Sequence, residues 1–400
     1  MVMDELMIQA AVAAVLTFGV IFYMVPILIK LAYRLDLYDK PDGNRKLHTR
    51  YISPLGGVSI FIGIFLGFSL SGYAEILTGS TYLFAALVLL FFTGLKDDIA
   101  GLSANKKLML QIVASLMVIL GTGTSIHNFF GVFGIGGIPI YLSIPLTLFT
   151  MIVVMNAFNL IDGVDGLAGG IGLVASVLFG VGFAVAGQSI LAVLSMVTAI
   201  SLFGFLLYNF KPASIFMGDT GSLVVGFLLS FMAINFINLN PIPEFQVVFG
   251  AASPVLPIAF LIIPLYDTFT VFCKRALRGD SPFSPGRDHV HHHLLEMGFS
   301  VKQTVMLLYL YTMLISVVAI ALSQLNNNIV LAVIVGMAAV LLPTNGIKRR
   351  VFSKFGLFNL DSFLSLSDES DDNNEVSDEI EERELENNVG AGSVTAKQRS

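Results

Sequence analysis

An all-α integral membrane protein, with about eleven transmembrane helices, the N-terminus outside and the C-terminus cytoplasmic, is the fold class that three features of this sequence predict. Hydrophobic residues make up 55% of the 400 positions and charged residues 12%, with a mean hydropathy of +0.82, well beyond the apolar content of a soluble domain. Apolar runs recur at lengths that cross a hydrocarbon core of ~30 Å. In the drawing those runs dictate, all 22 Lys and Arg residues fall on one side of the membrane, the bias that marks the cytoplasmic face.

Taken in order, the runs lie near 4–29, 52–71, 76–95, 108–125, 138–157, 167–187, 189–208, 221–239, 248–271, 303–323 and 326–343. The first has no basic leader or small-residue cleavage site and carries Asp4 and Glu5 in its flank, so it is expected to be a retained helix and not a signal peptide. The loops after the odd-numbered runs hold Lys30 to Arg50, then Lys96, Lys106 and Lys107, then Lys211, then Lys274 to Lys302, and last Lys348 to Lys354. The alternate loops hold no Lys or Arg.

Three segments follow from this pattern: a polytopic catalytic domain over 1–345, a basic juxtamembrane piece over 346–360 and an acidic tail over 361–400. The tail holds twelve of the 28 acidic residues, while residues 1–360 carry 19 basic and 16 acidic side chains. A segment so charged and so poor in core-forming residues is expected to be disordered. A lone Cys273 excludes a disulfide framework and a thiolate zinc site. Metal chemistry here would use oxygen or imidazole ligands.

Four polar constellations fall at the basic face. Asp97 and Asp98 stand at the end of the third run, where one carboxylate could serve a metal or a nucleophile and the other a supporting group. Asn156, Asn159, Asp162 and Asp165 follow the fifth run at strict three-residue spacing across a Gly-rich stretch, so the four could converge on one site. Such hard oxygen donors suit Mg²⁺, or Mn²⁺, with positions left for substrate phosphates. Asn209, Phe216 and Asp219 lie between the seventh and eighth runs. There Asp219 is the principal candidate metal ligand, and Thr220-Gly221-Ser222 can open the next helix with its positive dipole end facing an anion.

The fourth constellation is Arg287, His289, His291, His292 and His293 in the longest internal loop. With no Cys or Glu ligand set beside them and with Arg278 and Lys302 nearby, these imidazoles form a better clamp for a diphosphate than a zinc shell. His48, close to Arg50 in the first basic loop, belongs with the same candidates. Phosphate-binding cations, a carboxylate and amide metal site and a membrane rim together describe an enzyme that joins a nucleotide-activated group to a lipid phosphate. No nucleic-acid partner is expected.

Asp97-Asp98, NAFNLIDGVDGLAGG from Asn156, FMGDTGS from Phe216 and SPFSPGRDHVHHHLLEMGFS from Ser281 resemble, in the same order, the signatures of the polyprenyl-phosphate N-acetylhexosamine-1-phosphate transferases. The likeness extends over nearly all of 1–345. Ser53-Pro54-Leu55-Gly56-Gly57 and the histidine run resemble the branch that moves GlcNAc-1-phosphate more than the phospho-MurNAc-pentapeptide branch. One departure is an extra imidazole in the run, which leaves open which histidine fills which role.

The resemblance implies transfer of GlcNAc-1-phosphate from UDP-GlcNAc to undecaprenyl phosphate at the cytoplasmic face of the inner membrane, initiating O-antigen, common-antigen or related glycans. It implies Asn159 as a second metal ligand beside Asp219, Asp97 or Asp98 as proton acceptor, and Asp162 among the catalytic carboxylates. It places Asp165, Asn209 and Phe216 around the uracil, Arg287, His291 and His292 on phosphate oxygens, and it implies a homodimer. A transporter of a phosphorylated solute would instead want ionisable groups at mid-bilayer depth and an internal repeat, and neither is visible here.

Overall fold

The computed structural model describes residues 2–38, 52–73, 77, 79–210, 212–252, 254–279 and 288–342, all within the compact unit Met1–Thr344. The expected juxtamembrane piece and acidic tail lie outside the described residues. Among the described residues no strand forms, and β-pairing is confined to the isolated bridges Ser53 with Ile215 and Asn128 with Gly137. The helices in chain order are α1 (Val2–Leu35), α2 (Gly56–Leu70), α3 (Ser80–Ala100), α4 (Ala104–Thr122), α5 (Ile140–Ile161), α6 (Leu167–Val185) and α7 (Ser189–Asn209). They continue with α8 (Gly218–Ile237), α9 (Pro243–Phe249), α10 (Leu256–Phe260), α11 (Ile262–Arg278), α12 (Val290–Glu296), α13 (Val301–Ala321) and α14 (Asn327–Leu341).

Seven of them, α1, α4, α5, α6, α7, α8 and α13, are long and apolar enough to cross a bilayer by length and composition, and α2 and α14 are shorter apolar helices. An all-helical spanning body is the form lipid requires, because each backbone donor must find its acceptor within its own segment. The expected run 248–271 departs from this plan. It breaks into the end of α9, a 3₁₀ turn over Gly250–Ala252, α10 and the first part of α11. The cause is local: Pro254, Pro257 and Pro264 each lack a backbone donor, and Leu261 between α10 and α11 sits at φ −110°, ψ 24°.

Helix α8 is the axis of the fold. Its apolar stretch is 89% buried, against 28% for α1 and for α4, as expected of a helix that is apolar on every side. It packs against α2, α3, α5 and α6. Lipid removes most of the hydrophobic drive for helix association, so close packing has to supply it. At the end of α8 the buried Phe236 ring makes edge contacts with Phe179, Phe183, Phe245, Phe249 and Phe260 at centroid distances of 5.2–5.9 Å. These rings tie α6, α9 and α10 to α8 in the geometry aromatic quadrupoles favour.

Antiparallel neighbours bring six helix ends to one rim: the last turns of α3, α5 and α7 and the first turns of α4, α6 and α8. The segment 52–57 joins them by pairing with the strand-like 215–217. The Phe216 amide donates to the Ser53 carbonyl (2.8 Å), and the Gly56 and Gly57 amides donate to the Phe216 and Met217 carbonyls (2.9 Å each). Every described constellation singled out by the sequence, apart from the histidines, lies on this rim.

Candidate active site

The rim is built around one ammonium group. Asp97, in the last turn of α3, accepts a hydrogen bond from the Leu102 amide on Oδ1 and so fixes the short turn into α4. That turn delivers Lys107 back beside it, and Lys107 Nζ meets Asp97 Oδ2 at 3.1 Å. The same ammonium donates to Asp219 Oδ2 at the start of α8. The three side chains keep only 16%, 17% and 24% of their surface, so the bridge is mostly withdrawn from water and weakly screened. The sequence marks Lys107 only as one of the basic residues of the inner loops; its place in the site is a finding of the structure.

Asp98 points elsewhere. Its Oδ1 accepts the Asp219 amide (2.8 Å), while Oδ2 accepts both the Thr220 amide (3.0 Å) and the Thr220 hydroxyl (2.5 Å). The anion that the sequence expects at the positive end of α8 is therefore a carboxylate lent by α3. This serves the orphan amides of a helix start as an N-cap does, but from another helix. Two glycines allow the approach. Gly218 has φ 67°, and a Cβ there would lie 2.4 Å from the Pro54 carbonyl oxygen; one on Gly94 would lie 2.4 Å from Thr220 Cα.

The three-residue series after α5 divides. Asn159 Nδ2 reaches Asp219 Oδ1 (2.6 Å) and Ser222 Oγ (2.7 Å). Asn156, one turn deeper, instead donates to Gln111 Oε1 on α4 (2.9 Å) and to the Ile152 carbonyl (2.8 Å), so it joins two helices and stays apart from the Asp219 cluster. Asp162, just beyond α5, is half-buried. Burial first, then the charges of Asp219, Asp98 and Asp165, hold its carboxyl well above the usual carboxylate range. Asp165 accepts the Ala213 amide (3.4 Å).

Asn209 is buried, with Oδ1 accepting the Gly166 amide (3.0 Å) and Nδ2 donating to the Ile215 carbonyl (2.8 Å). It brackets the loop after α5 to the loop after α7, so its amide is already engaged. The half-buried Phe216 sits on that bracket. From α13, Tyr309 donates to the Gly166 carbonyl, a contact with no local signal in the chain.

Among the described residues no group of three or more His, Cys, Asp or Glu side chains is arranged to hold a metal by itself. The donor set around Asp219 nevertheless fits Mg²⁺. It offers one carboxylate, the Ser222 hydroxyl and the Asn159 amide, whose oxygen and nitrogen exchange places by a simple flip. Mg²⁺ sites commonly pair one or two carboxylates with substrate phosphates and water.

The histidines form a second cluster. His289 and His291 are buried, and His292 and His293 are half-buried. The His289 and His291 rings lie parallel, 2° apart with centroids at 5.6 Å, and His292 is 4.3 Å from His291. Burial pushes the His291 imidazole down to about 3, and its three neighbouring imidazoles act the same way against the opposing charge of Asp267. His291 is thus neutral at pH 7. Asp267 of α11, a residue the sequence did not single out, accepts from His289 Nδ1 and from the Val290 amide, each at 2.7 Å. His48, Arg50 and Arg287 lie outside the described residues.

Residues 80–237, which contain the six helix ends of the rim, match the family Glycosyl transferase family 4. The chain is similar to a probable undecaprenyl-phosphate N-acetylglucosaminyl 1-phosphate transferase of Bacillus subtilis, 31% identical over 89% of this chain and 98% of that protein. It is also similar to the decaprenyl-phosphate N-acetylglucosaminephosphotransferase of Mycobacterium tuberculosis, 34% identical over 84% of this chain and 87% of the relative. A third relative, the undecaprenyl-phosphate alpha-N-acetylglucosaminyl 1-phosphate transferase of Escherichia coli K12, is 29% identical over 73% and 78%.

Proposed function

Because this chain belongs to glycosyl transferase family 4, we propose that it transfers GlcNAc-1-phosphate from UDP-GlcNAc to undecaprenyl phosphate. The products are GlcNAc-diphosphate-undecaprenyl and UMP, and the reaction opens the synthesis of a cell-envelope glycan such as O-antigen or common antigen. A lipid-phosphate oxygen bonds to the β-phosphorus as the bond from that phosphorus to the UMP oxygen breaks. The site faces the cytoplasm from the inner membrane.

The observation that carries this reading is the Lys107 ammonium held between Asp97 and Asp219 beside Asn159. A cation gripped by carboxylates at a membrane rim is suited to a reaction in which phosphate charge is moved and little covalent chemistry is asked of the protein. Asp219 and Asn159, with Ser222 beside them, would hold Mg²⁺, with Mn²⁺ as the substitute. Bound there, the ion would offset the diphosphate charge and the charge that develops on UMP. Lys107 would orient a phosphate oxygen, and Asp97 would take the remaining proton of the lipid phosphate. That proton matters little at pH 7, since such phosphates have a second pKa of about 6. Asp98 keeps α8, and with it Asp219, in place.

Asp165 and Phe216 would receive the uracil on the bracket that Asn209 fixes. The histidine cluster, with Arg287, His48 and Arg50, would bind phosphate oxygens. The test supplies purified protein with undecaprenyl phosphate and, side by side, labelled UDP-GlcNAc, UDP-GalNAc and UDP-MurNAc-pentapeptide. Label from UDP-GlcNAc should enter a butanol-extractable lipid with release of UMP, and only when Mg²⁺ or Mn²⁺ is present. Label entering from UDP-MurNAc-pentapeptide instead would overturn the assignment of the donor.

A further inference from the structure

Asp267 is a carboxylate with 1% of its surface exposed, in a helix whose neighbouring positions Ile262, Ile263 and Val271 are also buried. A charge in such a place is costly unless its oxygens are engaged. Both are: Oδ1 takes the first amide of α12 and Oδ2 takes His289 Nδ1. Capping a short helix does not call for a charge, because Asn caps as well as Asp. The ring contact is the one that uses it. His289 is also held in plane by the parallel ring of His291.

We propose that Asp267 is a positioning residue that keeps the His289 proton on Nδ1, so that Nε2 is the nitrogen that meets a phosphate oxygen of the nucleotide sugar. A neutral ring so held has a bare Nε2 and repels an anion; protonated at Nε2, it donates to one. Phosphate binding at this ring is therefore coupled to uptake of one proton. Of the stacked pair, His289 has the carboxylate to balance that charge, whereas His291 is buried and neutral. The titratable and charged groups on the elements packed about the ring are His291, His292, His293 and Glu296 on α12, Asp288 just before it, Tyr266, Asp267, Cys273, Lys274, Arg275 and Arg278 on α11, and Lys302, Tyr309 and Tyr311 on α13. The same division of labour, an acid that orients an imidazole whose other nitrogen works, recurs in metal-bound and catalytic histidines. The proposal rests on the reading of the histidine cluster as a phosphate clamp.

Asp267→Asn separates capping from ring orientation. The amide oxygen can still accept the Val290 amide, but its NH₂ then faces Nδ1, which drives the ring proton to Nε2 and opposes the imidazolium form. Full-length protein labelled with ¹⁵N-histidine, with the His289 signals assigned by comparison with His289→Gln, should show Nδ1–H in the native chain and Nε2–H in Asp267→Asn. The KM for UDP-GlcNAc should rise on the order of tenfold to a hundredfold, with kcat within a few-fold, and Asp267→Glu should recover part of the loss. An Asp267→Asn protein with the native tautomer and native KM would reduce Asp267 to a helix cap and overturn the proposal. The tautomer is read without turnover. A native chain that ignores UDP-GlcNAc but shows the Nδ1–H to Nε2–H exchange would refute the donor assignment and leave the role of Asp267 standing.

Discussion

Replacing Asp219 by Asn changes no shape and removes one charge, so its effect isolates what that charge does. In the structure the two carboxylate oxygens are engaged separately, with Oδ1 receiving Asn159 Nδ2 at 2.6 Å and Oδ2 receiving the Lys107 ammonium. An amide keeps one acceptor. Its NH₂ faces either Lys107, donor against donor, or Asn159, which must then flip its amide; either way Lys107 loses its ionised partner at this position, and a charge-assisted bond worth ~1.5–3 kcal/mol is lost or weakened. The proposed anionic ligand for Mg²⁺ goes with it, and metal-borne charge stabilisation is worth several kcal/mol more. A combined loss of ~3 kcal/mol or more slows transfer by more than about a hundredfold at 1.36 kcal/mol per decade. The fold should survive, because Asp98 still holds the residue-219 amide. Transfer of label from UDP-GlcNAc to butanol-extractable lipid, titrated with Mg²⁺ alongside a thermal melt, measures both effects. Near-normal turnover of a folded variant at saturating Mg²⁺ would refute the reasoning.

Two further outcomes follow from the same rim. Asp98→Ala should strip three hydrogen bonds from the first turn of α8 and, as an N-cap loss, cost roughly 0.5–2 kcal/mol. Its signature should be a lower melting temperature together with a higher Mg²⁺ requirement, and an unchanged melt would deny the capping role. Fluorescent or phosphatase reporters fused after His293 and after Gly136 should report cytoplasmic and external positions respectively, since all the Lys and Arg residues lie in the loops assigned to one side; an external signal at His293 would invert the topology.

Much of the helical plan is legible because a span writes itself in contiguous residues: runs such as 167–187 and 189–208 correspond to α6 and α7 almost residue for residue. The run 248–271 reads as one helix and is not, because its apolar content outweighs three prolines whose effect depends on what packs around them. The rim's polar groups are also legible as types, and Asn159 and Asp219 do meet. Their partners are not. Lys107 and Asp219 are 112 positions apart, and nothing in the local pattern distinguishes Lys107 from Lys106 until α4 is docked on α3 and α8. Asp267 is hidden for the opposite reason: a single acid in an apolar run reads as an ordinary span residue until its partner histidine, 22 positions later, folds back onto it. Asn156 shows the limit of spacing arguments, since a shared helix face with Asn159 does not stop α4 from claiming it through Gln111.

The division between Asp97 and Asp98 follows from helix geometry as directly as any contact in the molecule. Neighbours in an α-helix project ~100° apart, so two adjacent acids cannot serve one centre equally, and α3 has α4 on one side and α8 on another. Asp97 falls toward α4, where Lys107 waits. Asp98 falls toward α8, where free amides wait, and its two oxygens are filled by three donors. A proton acceptor must keep a lone pair available within hydrogen-bond reach of the proton it takes. Asp98 can provide one only by releasing the helix that carries Asp219, whereas Asp97 engages a lysine that a phosphate could draw away. The pair thus joins the two sides of the rim: one acid sets where Asp219 stands, and the other stands beside the Lys107 ammonium that pairs with it and with Asp219.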